Sequence, residues 1–148
     1  MAYTKLTYQI VFSTKERRPF LQGDVFDRVC DSIGGILREQ KAHAFALAGM
    51  PDHLHLAVLA RPTVALADLI RTVKANSSRW IHAELPELRS FSWQETYSAF
   101  SVLESAVPDV VRYVRGQQKH HQKLTFREEL IVLLTKHGVE YDPRYIWS

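Results

Sequence analysis

The sequence predicts an α+β fold of the ferredoxin-like sandwich type: a mostly antiparallel sheet with helices on one face, followed by C-terminal helices. Three observations carry this. An apolar period-two segment opens the chain. Two more strand-like runs meet at a tight turn, and an amphipathic helical stripe follows the first strand and the third. With a fourth strand the order becomes β-α-β-β-α-β and then two helices, which is the split βαβ plan.

Each element has its own local signal. Tyr3 to Ser13 alternates Leu6, Tyr8, Ile10 and Phe12 with Thr7, Gln9 and Ser13, so one face of a strand enters a core. TKERRP then turns the chain, punctuated by Pro19. Asp24 to Gln40 spaces Val25, Phe26, Val29, Cys30, Ile33, Ile36 and Leu37 along a helical stripe. Gly34 and Gly35 oppose that helix, each by about 1 kcal/mol against alanine. Ala42 to Ala48 and His53 to Ala60 form a hairpin across Gly49-Met50-Pro51-Asp52. Val64 to Leu85 is a long helix with Leu66, Leu69, Ile70, Val73, Trp80 and Ile81 inward. Phe91 to Leu103 is aromatic-rich and reads as strand, interrupted near Glu95. Pro108 suits the first turn of another helix, with Ser105 as its cap, running to about Gln122. Phe126 to Lys136 is the last helix, stopped by Gly138.

Composition narrows the function classes. The 148 residues suit one domain. A hydrophobic share of 46% with 24% charged residues is that of a folded globule and excludes disorder. No apolar run approaches the roughly 20 residues of a membrane helix. MAYTKLTYQIVF lacks the charged-then-apolar plan of a secretory signal. Cys30 is the single cysteine, which rules out an intrachain disulfide and a cysteine zinc site and fits a reducing, cytoplasmic setting. The net charge of +3 is unevenly spread. Val110 to Arg127 holds no acid but carries Arg112, Arg115, Lys119, Lys123 and Arg127, and Leu69 to Ala83 holds no acid but carries Arg71, Lys74 and Arg79. Such stretches suit a polyanion, and equally two solvated helix faces.

The sharpest local feature is Asp52-His53-Leu54-His55-Leu56. Residues two apart on a strand share a face, so His53 and His55 present two imidazoles together while Leu54 and Leu56 enter the core. The pair is a two-tooth chelate for a divalent cation, and the same pattern also fits two half-buried histidines satisfied by hydrogen bonds. Tyr113 and Gln117 are spaced i and i+4 on the basic helix after Pro108, opposite Val110, Val111 and Val114. His120 and His121 lie a turn further and compete with Gln117 as third ligand; an all-histidine set would favour zinc, nickel or copper.

These groups suit phosphoryl transfer. A cation on His53 and His55 would polarise a phosphodiester oxygen, Tyr113 would attack in line, and arginine and lysine would hold flanking phosphates. A tyrosine ionises near pH 10, so it needs cationic neighbours to attack at neutral pH.

The chain resembles the single-tyrosine HUH transposases of short insertion sequences, including the REP-associated tyrosine transposases. YQIVFSTKERRPFL is similar to that family's first strand and turn, GMPDHLHLAV carries its histidine–hydrophobe–histidine signature, SFSWQETYSAFSV is similar to its next strand region, and VRYVRGQQKHH matches its nucleophile helix. The resemblance spans about residues 3–123 and implies one transposase domain over 1–148, with a catalytic core there and a helix and tail over 124–148. It implies Tyr113 as nucleophile, with His53, His55 and Gln117 holding Mg²⁺ or Mn²⁺. It implies a 5′-phosphotyrosine intermediate on single-stranded DNA with hairpins at element ends, a homodimer, and a place at the nucleoid. Arg71, Lys74, Arg79, Arg112, Arg115 and Lys119 are the candidate DNA contacts. The competing reading is a catalytically silent, domesticated module that binds nucleic-acid hairpins without cutting them.

Overall fold

The computed structural model describes residues 2–148. Strand β1 is Leu6–Ser13, helix α1 Asp24–Glu39, strand β2 His43–Met50, strand β3 His53–Ala60, helix α2 Leu66–Glu84 and strand β4 Ser98–Val102. Helices α3 (Val107–Arg115), α4 (Gln117–His120) and α5 (Phe126–Lys136) follow. The sheet order is β2-β3-β1-β4, with every neighbouring pair antiparallel. This is the split βαβ arrangement: β3 pairs with β1 and sends the hairpin strand β2 to one edge, while β4 returns to the other.

Strand alternation divides the side chains cleanly. Ile10, Phe12, Leu54, Leu56 and Val58 face α1 and α2, and pack with Val29, Ile33, Leu69, Ile70 and Ile81 in the main core. The opposite face is also covered, by the C-terminal helices. There Ala46 and Ala57 meet Val114 of α3. Val11 and Phe100 meet Phe126, Leu130, Leu133 and Leu134 of α5, with Ile146 and Trp147 of the tail against them. Thr125 closes a capping box with Glu128 at the start of α5, and Gly138, at φ +66°, follows its end. No helix among the described residues is long and apolar enough to cross a membrane.

Two elements differ from the sequence reading. The strand expected from Phe91 is confined to Ser98–Val102. Upstream, Trp93 makes one isolated bridge to Thr14, and the carbonyls of Gln94, Glu95 and Thr96 accept from the Lys74 ammonium at 2.8, 3.4 and 3.0 Å. Backbone acceptors used by a lysine are not free for a ladder. The helix expected to run to about Gln122 stops at Arg115, and a separate turn restarts at Gln117. Gly116, a weak helix former, sits at the break.

The hairpin between β2 and β3 positions the site and is tightly built. The Thr14 amide donates to Asp52 O at 2.9 Å and the Leu21 amide to Pro51 O at 3.0 Å, so the first turn braces the second. A Cβ built on Gly49 would lie 2.1 Å from the His53 carbonyl oxygen. Because the obstacle is backbone, Gly49→Ala must move β3 at His53. We expect it to lower stability by about 1–3 kcal/mol in urea denaturation, as overpacked sites do; an unchanged midpoint would show that the hairpin has slack.

Candidate active site

His53 and His55 lie on the α5-covered face of β3, both fully buried, with ring centroids 5.3 Å apart. Alternation on the strand puts them there, and Leu54 and Leu56 hold the strand from behind. Asp52, in the hairpin turn, sits 2.7 Å from His53 Nδ1. That contact fixes the ring and turns Nε2 toward the site. Phe126 stacks on the other side of the same ring, centroid to centroid 4.4 Å.

Four further side chains gather around the imidazoles from the C-terminal segment. Gln117, buried at the start of α4, places Oε1 3.1 Å from His53 Nε2. Glu129 of α5 places Oε1 2.9 Å from His55 Nε2 and 3.5 Å from His53 Nε2. His121 places Nε2 3.0 Å from the same Glu129 oxygen and 3.1 Å from Gln117 Oε1. Tyr113 of α3 stands with its ring centroid 5.8 Å from that of His55, and its hydroxyl donates to Glu129 Oε2 at 2.5 Å. One carboxylate therefore joins the imidazole pair to the phenol.

The charges follow from these contacts. Burial opposes ionisation of Glu129, but hydrogen bonds from His53 and His55 outweigh it and hold the carboxyl well below its usual range. Burial likewise opposes charge on His53, yet its bonds to Asp52 and Glu129 push its pKa up to about 9. His55, with burial dominant over its Glu129 bond, is lowered. Burial and then the Glu129 hydrogen bond raise the Tyr113 phenol, so in this arrangement the tyrosine is protonated and bonded, not a free phenolate.

The donor set fits a divalent cation. Ligand atoms of His53, His55 and Glu129 all lie within 4.8 Å of one another, and two neutral nitrogens with one ionised oxygen are what such a cation takes. A carboxylate this deeply buried requires positive charge beside it. In the protein alone His53 supplies that charge, and a cation would supply it instead.

The four residues singled out from sequence, His53, His55, Tyr113 and Gln117, converge within one chain. Glu129 is not among them. Its signal was present: α5 carries Phe126, Leu130, Leu133 and Leu134 on its buried stripe, and Glu129 falls on that stripe. An acid on the apolar side of a helix marks a partner across the interface. The cationic candidates divide between the two faces of the molecule. Arg112, Arg115 and Lys119 are exposed on α3 and α4. Arg112 pairs with Asp109, and Arg115 reaches Phe45 O at 3.4 Å. Arg71 and Arg79 are exposed on α2, across the sheet, with Arg71 2.7 Å from Asp68. The Lys74 ammonium is turned onto its three carbonyls, and burial pushes its pKa down to about 8.

The His53 proton sets the pH dependence of cation binding. A cation must displace it, so affinity rises with pH up to about 9 and levels off above. Calorimetric titration with Mn²⁺ between pH 6 and 9.5 checks this. Glu129→Gln in the cation-free protein is expected to bring the His53 titration, followed by NMR, down from about 9 toward the ordinary imidazole value.

Comparison with known proteins places this arrangement. The family model described as IS200-like transposase matches residues 2–117. The ISDra2 transposase TnpA of Deinococcus radiodurans is 26% identical over 118 residues, covering 76% of this chain and 84% of that protein. Among solved structures, a putative transposase from Deinococcus radiodurans R1 superposes with a TM-score of 0.66 at 26% identity, over 78% of this chain and 93% of that one. A REP-associated tyrosine transposase bound to a REP hairpin shares the fold, with a TM-score of 0.62 at 17% identity over 84% of this chain and 73% of that one. The histidine pair, the tyrosine and the glutamine all fall within or at the end of the matched segment, and the chain belongs to the IS200-like transposase family.

Proposed function

We propose that this transposase cuts and rejoins single-stranded DNA through a 5′-phosphotyrosine on Tyr113, acting on strands that carry hairpins at element ends. The observation that carries the reading is the shared carboxylate: Glu129 bonds the Tyr113 hydroxyl with one oxygen and stands among the histidine nitrogens with the other. A phenol that close to a cation site on its own chain is placed for attack on a phosphodiester bound there.

His53, His55 and Glu129 would hold the divalent cation, Mg²⁺ or Mn²⁺, with Gln117 alongside. When bound, the cation supplies Lewis-acid polarisation of a non-bridging phosphate oxygen. The Tyr113 oxygen forms the new bond to phosphorus as its proton passes to Glu129 Oε2, and the bond from phosphorus to the 3′ oxygen breaks, the 3′ oxygen taking up a proton to leave as a hydroxyl. The phosphotyrosine ester keeps the bond energy, so a later 3′ hydroxyl can displace the tyrosine and rejoin a strand without ATP. Arg112, Arg115 and Lys119, exposed on the helices that carry Tyr113 and Gln117, are placed to hold phosphates flanking the cleaved one. Arg71, Lys74 and Arg79 lie on the far side of the sheet and would serve only a hairpin that wraps around the molecule.

Hairpin recognition draws support from the fold shared with the protein that holds a REP hairpin. Family membership also suggests a homodimer, but the catalytic groups named here come from one subunit, so the reading assigns Tyr113 to its own histidines. The setting is the cytoplasm, at the nucleoid, with the segment 124–148 acting as part of the same domain.

The test uses end-labelled single-stranded hairpin DNA with Mg²⁺ or Mn²⁺. We expect a protein–DNA adduct that survives denaturation, and its loss in Tyr113→Phe by at least about 1,000-fold, since the nucleophile itself is removed. Salt-sensitive retardation of the same DNA should persist in that variant. Retardation by the wild-type protein without any adduct would replace this reading with the non-cutting hairpin module.

A further inference from the structure

His120, a candidate third ligand from its place in the sequence, takes a different place in the structure. It stands outside the cluster formed by the ligand atoms of His53, His55 and Glu129. Its ring instead lies on the ring of Tyr113, with centroids 4.6 Å apart and planes 26° from parallel. Three groups thereby hold the phenol. The His55 ring meets it edge-on at 5.8 Å and 71°, the Glu129 carboxylate accepts from its hydroxyl, and His120 covers one face.

The chain is broken to make this contact. His120 comes seven residues after Tyr113, and in an unbroken helix that interval is about 10 Å along the axis. Helix α3 stops at Arg115 and α4 starts at Gln117, so the two rings are carried on different helices. Gly116, between them, leaves room for the imidazole: a Cβ there would lie 3.3 Å from His120 Nε2 and 3.6 Å from its Cδ2. Backbone bonds fix the segment on either side. The His120 amide donates to Gly116 O at 3.1 Å, and the Lys123 and Leu124 amides both donate to His120 O at 3.1 Å.

The contact matters most during attack. While the phenol is protonated, its bond to Glu129 sets where the oxygen lies. That anchor is given up once the proton passes to the carboxylate and the oxygen turns to phosphorus. A stacked ring involves no hydroxyl proton, so it persists through the transfer. It restricts rotation of the phenol about its side-chain bonds and keeps the oxygen in line with the scissile phosphate, where a displacement of about 1 Å can cost about 100-fold in rate.

We propose that His120 is a positioning residue for the nucleophile: the face of its ring, not its nitrogens, aims Tyr113 at the phosphodiester. The inference rests on Tyr113 as the nucleophile of the proposed function and deepens it.

The experiment follows the rate of adduct formation on the labelled hairpin DNA with Mg²⁺ or Mn²⁺ at saturating protein, beside retardation of the same DNA. His120→Leu, which fills the space without a flat ring, should slow adduct formation about 10- to 100-fold while DNA affinity stays within about 2-fold of wild type. His120→Phe, which restores a flat ring and has no nitrogen, should return the rate to within about 3-fold of wild type. NMR of the cation-free wild type, which needs no variant to fold, should show through-space contacts between the ring protons of His120 and Tyr113. A His120→Leu rate equal to wild type, a loss that arises from weaker DNA binding, a loss that His120→Phe does not repair, or the absence of ring-to-ring contacts would overturn the proposal. Failure of the transposase reading would show separately, as wild-type protein that has the ring contacts and binds the DNA but forms no adduct.

Discussion

A single buried carboxylate organises this molecule. Glu129 is 1% exposed on the apolar side of α5, where an unpaired charge would not be tolerated. It is tolerated because His53, His55, His121 and Tyr113 meet it. The same contacts decide where α5 docks, which way the imidazoles face and where the phenol stands. The capping box at Thr125 sets the helix start four residues before Glu129, and the apolar residues around the acid press it onto Val11 and Phe100. Packing and chemistry are therefore not separable here: the helix that covers the second face of the sheet also completes the site.

That docking has a consequence for how the family plan is used. The matched segment ends at residue 117, just after the tyrosine helix. His121, just after α4, and Glu129 of α5 lie past it, in the segment that closes over the sheet. In this chain the core supplies the histidine pair, the tyrosine and the glutamine, and the extension supplies the carboxylate that ties them together. The Tyr113 hydroxyl is hydrogen-bonded to that extension of its own chain.

Much of this was legible in the sequence, for physical reasons. Period-two alternation in Leu6–Ser13 and His53–Ala60 fixes which side chains enter which face, and so sets the two histidines side by side. The hairpin at Pro51-Asp52 and the helices α1, α2 and α5 followed from turn residues and 3.6-residue periodicity. What periodicity could not show were interactions across distant segments. Lys74 takes the carbonyls of Gln94–Thr96 away from a ladder, so the aromatic run from Phe91 reads as strand and folds as loop. Glu129 looks like an ordinary surface acid until its position on the inward stripe of α5 is noticed. The exposed arginines look alike in sequence, and only the fold separates those beside the site from those behind the sheet.

The most direct test is a crystal structure with Mn²⁺ and anomalous data collected at the manganese edge. The account predicts one strong anomalous peak bounded by the nitrogens of His53 and His55 and an oxygen of Glu129, with the Tyr113 hydroxyl of that same chain beside it. A peak away from Glu129, or a site whose tyrosine comes from a second chain, would contradict it.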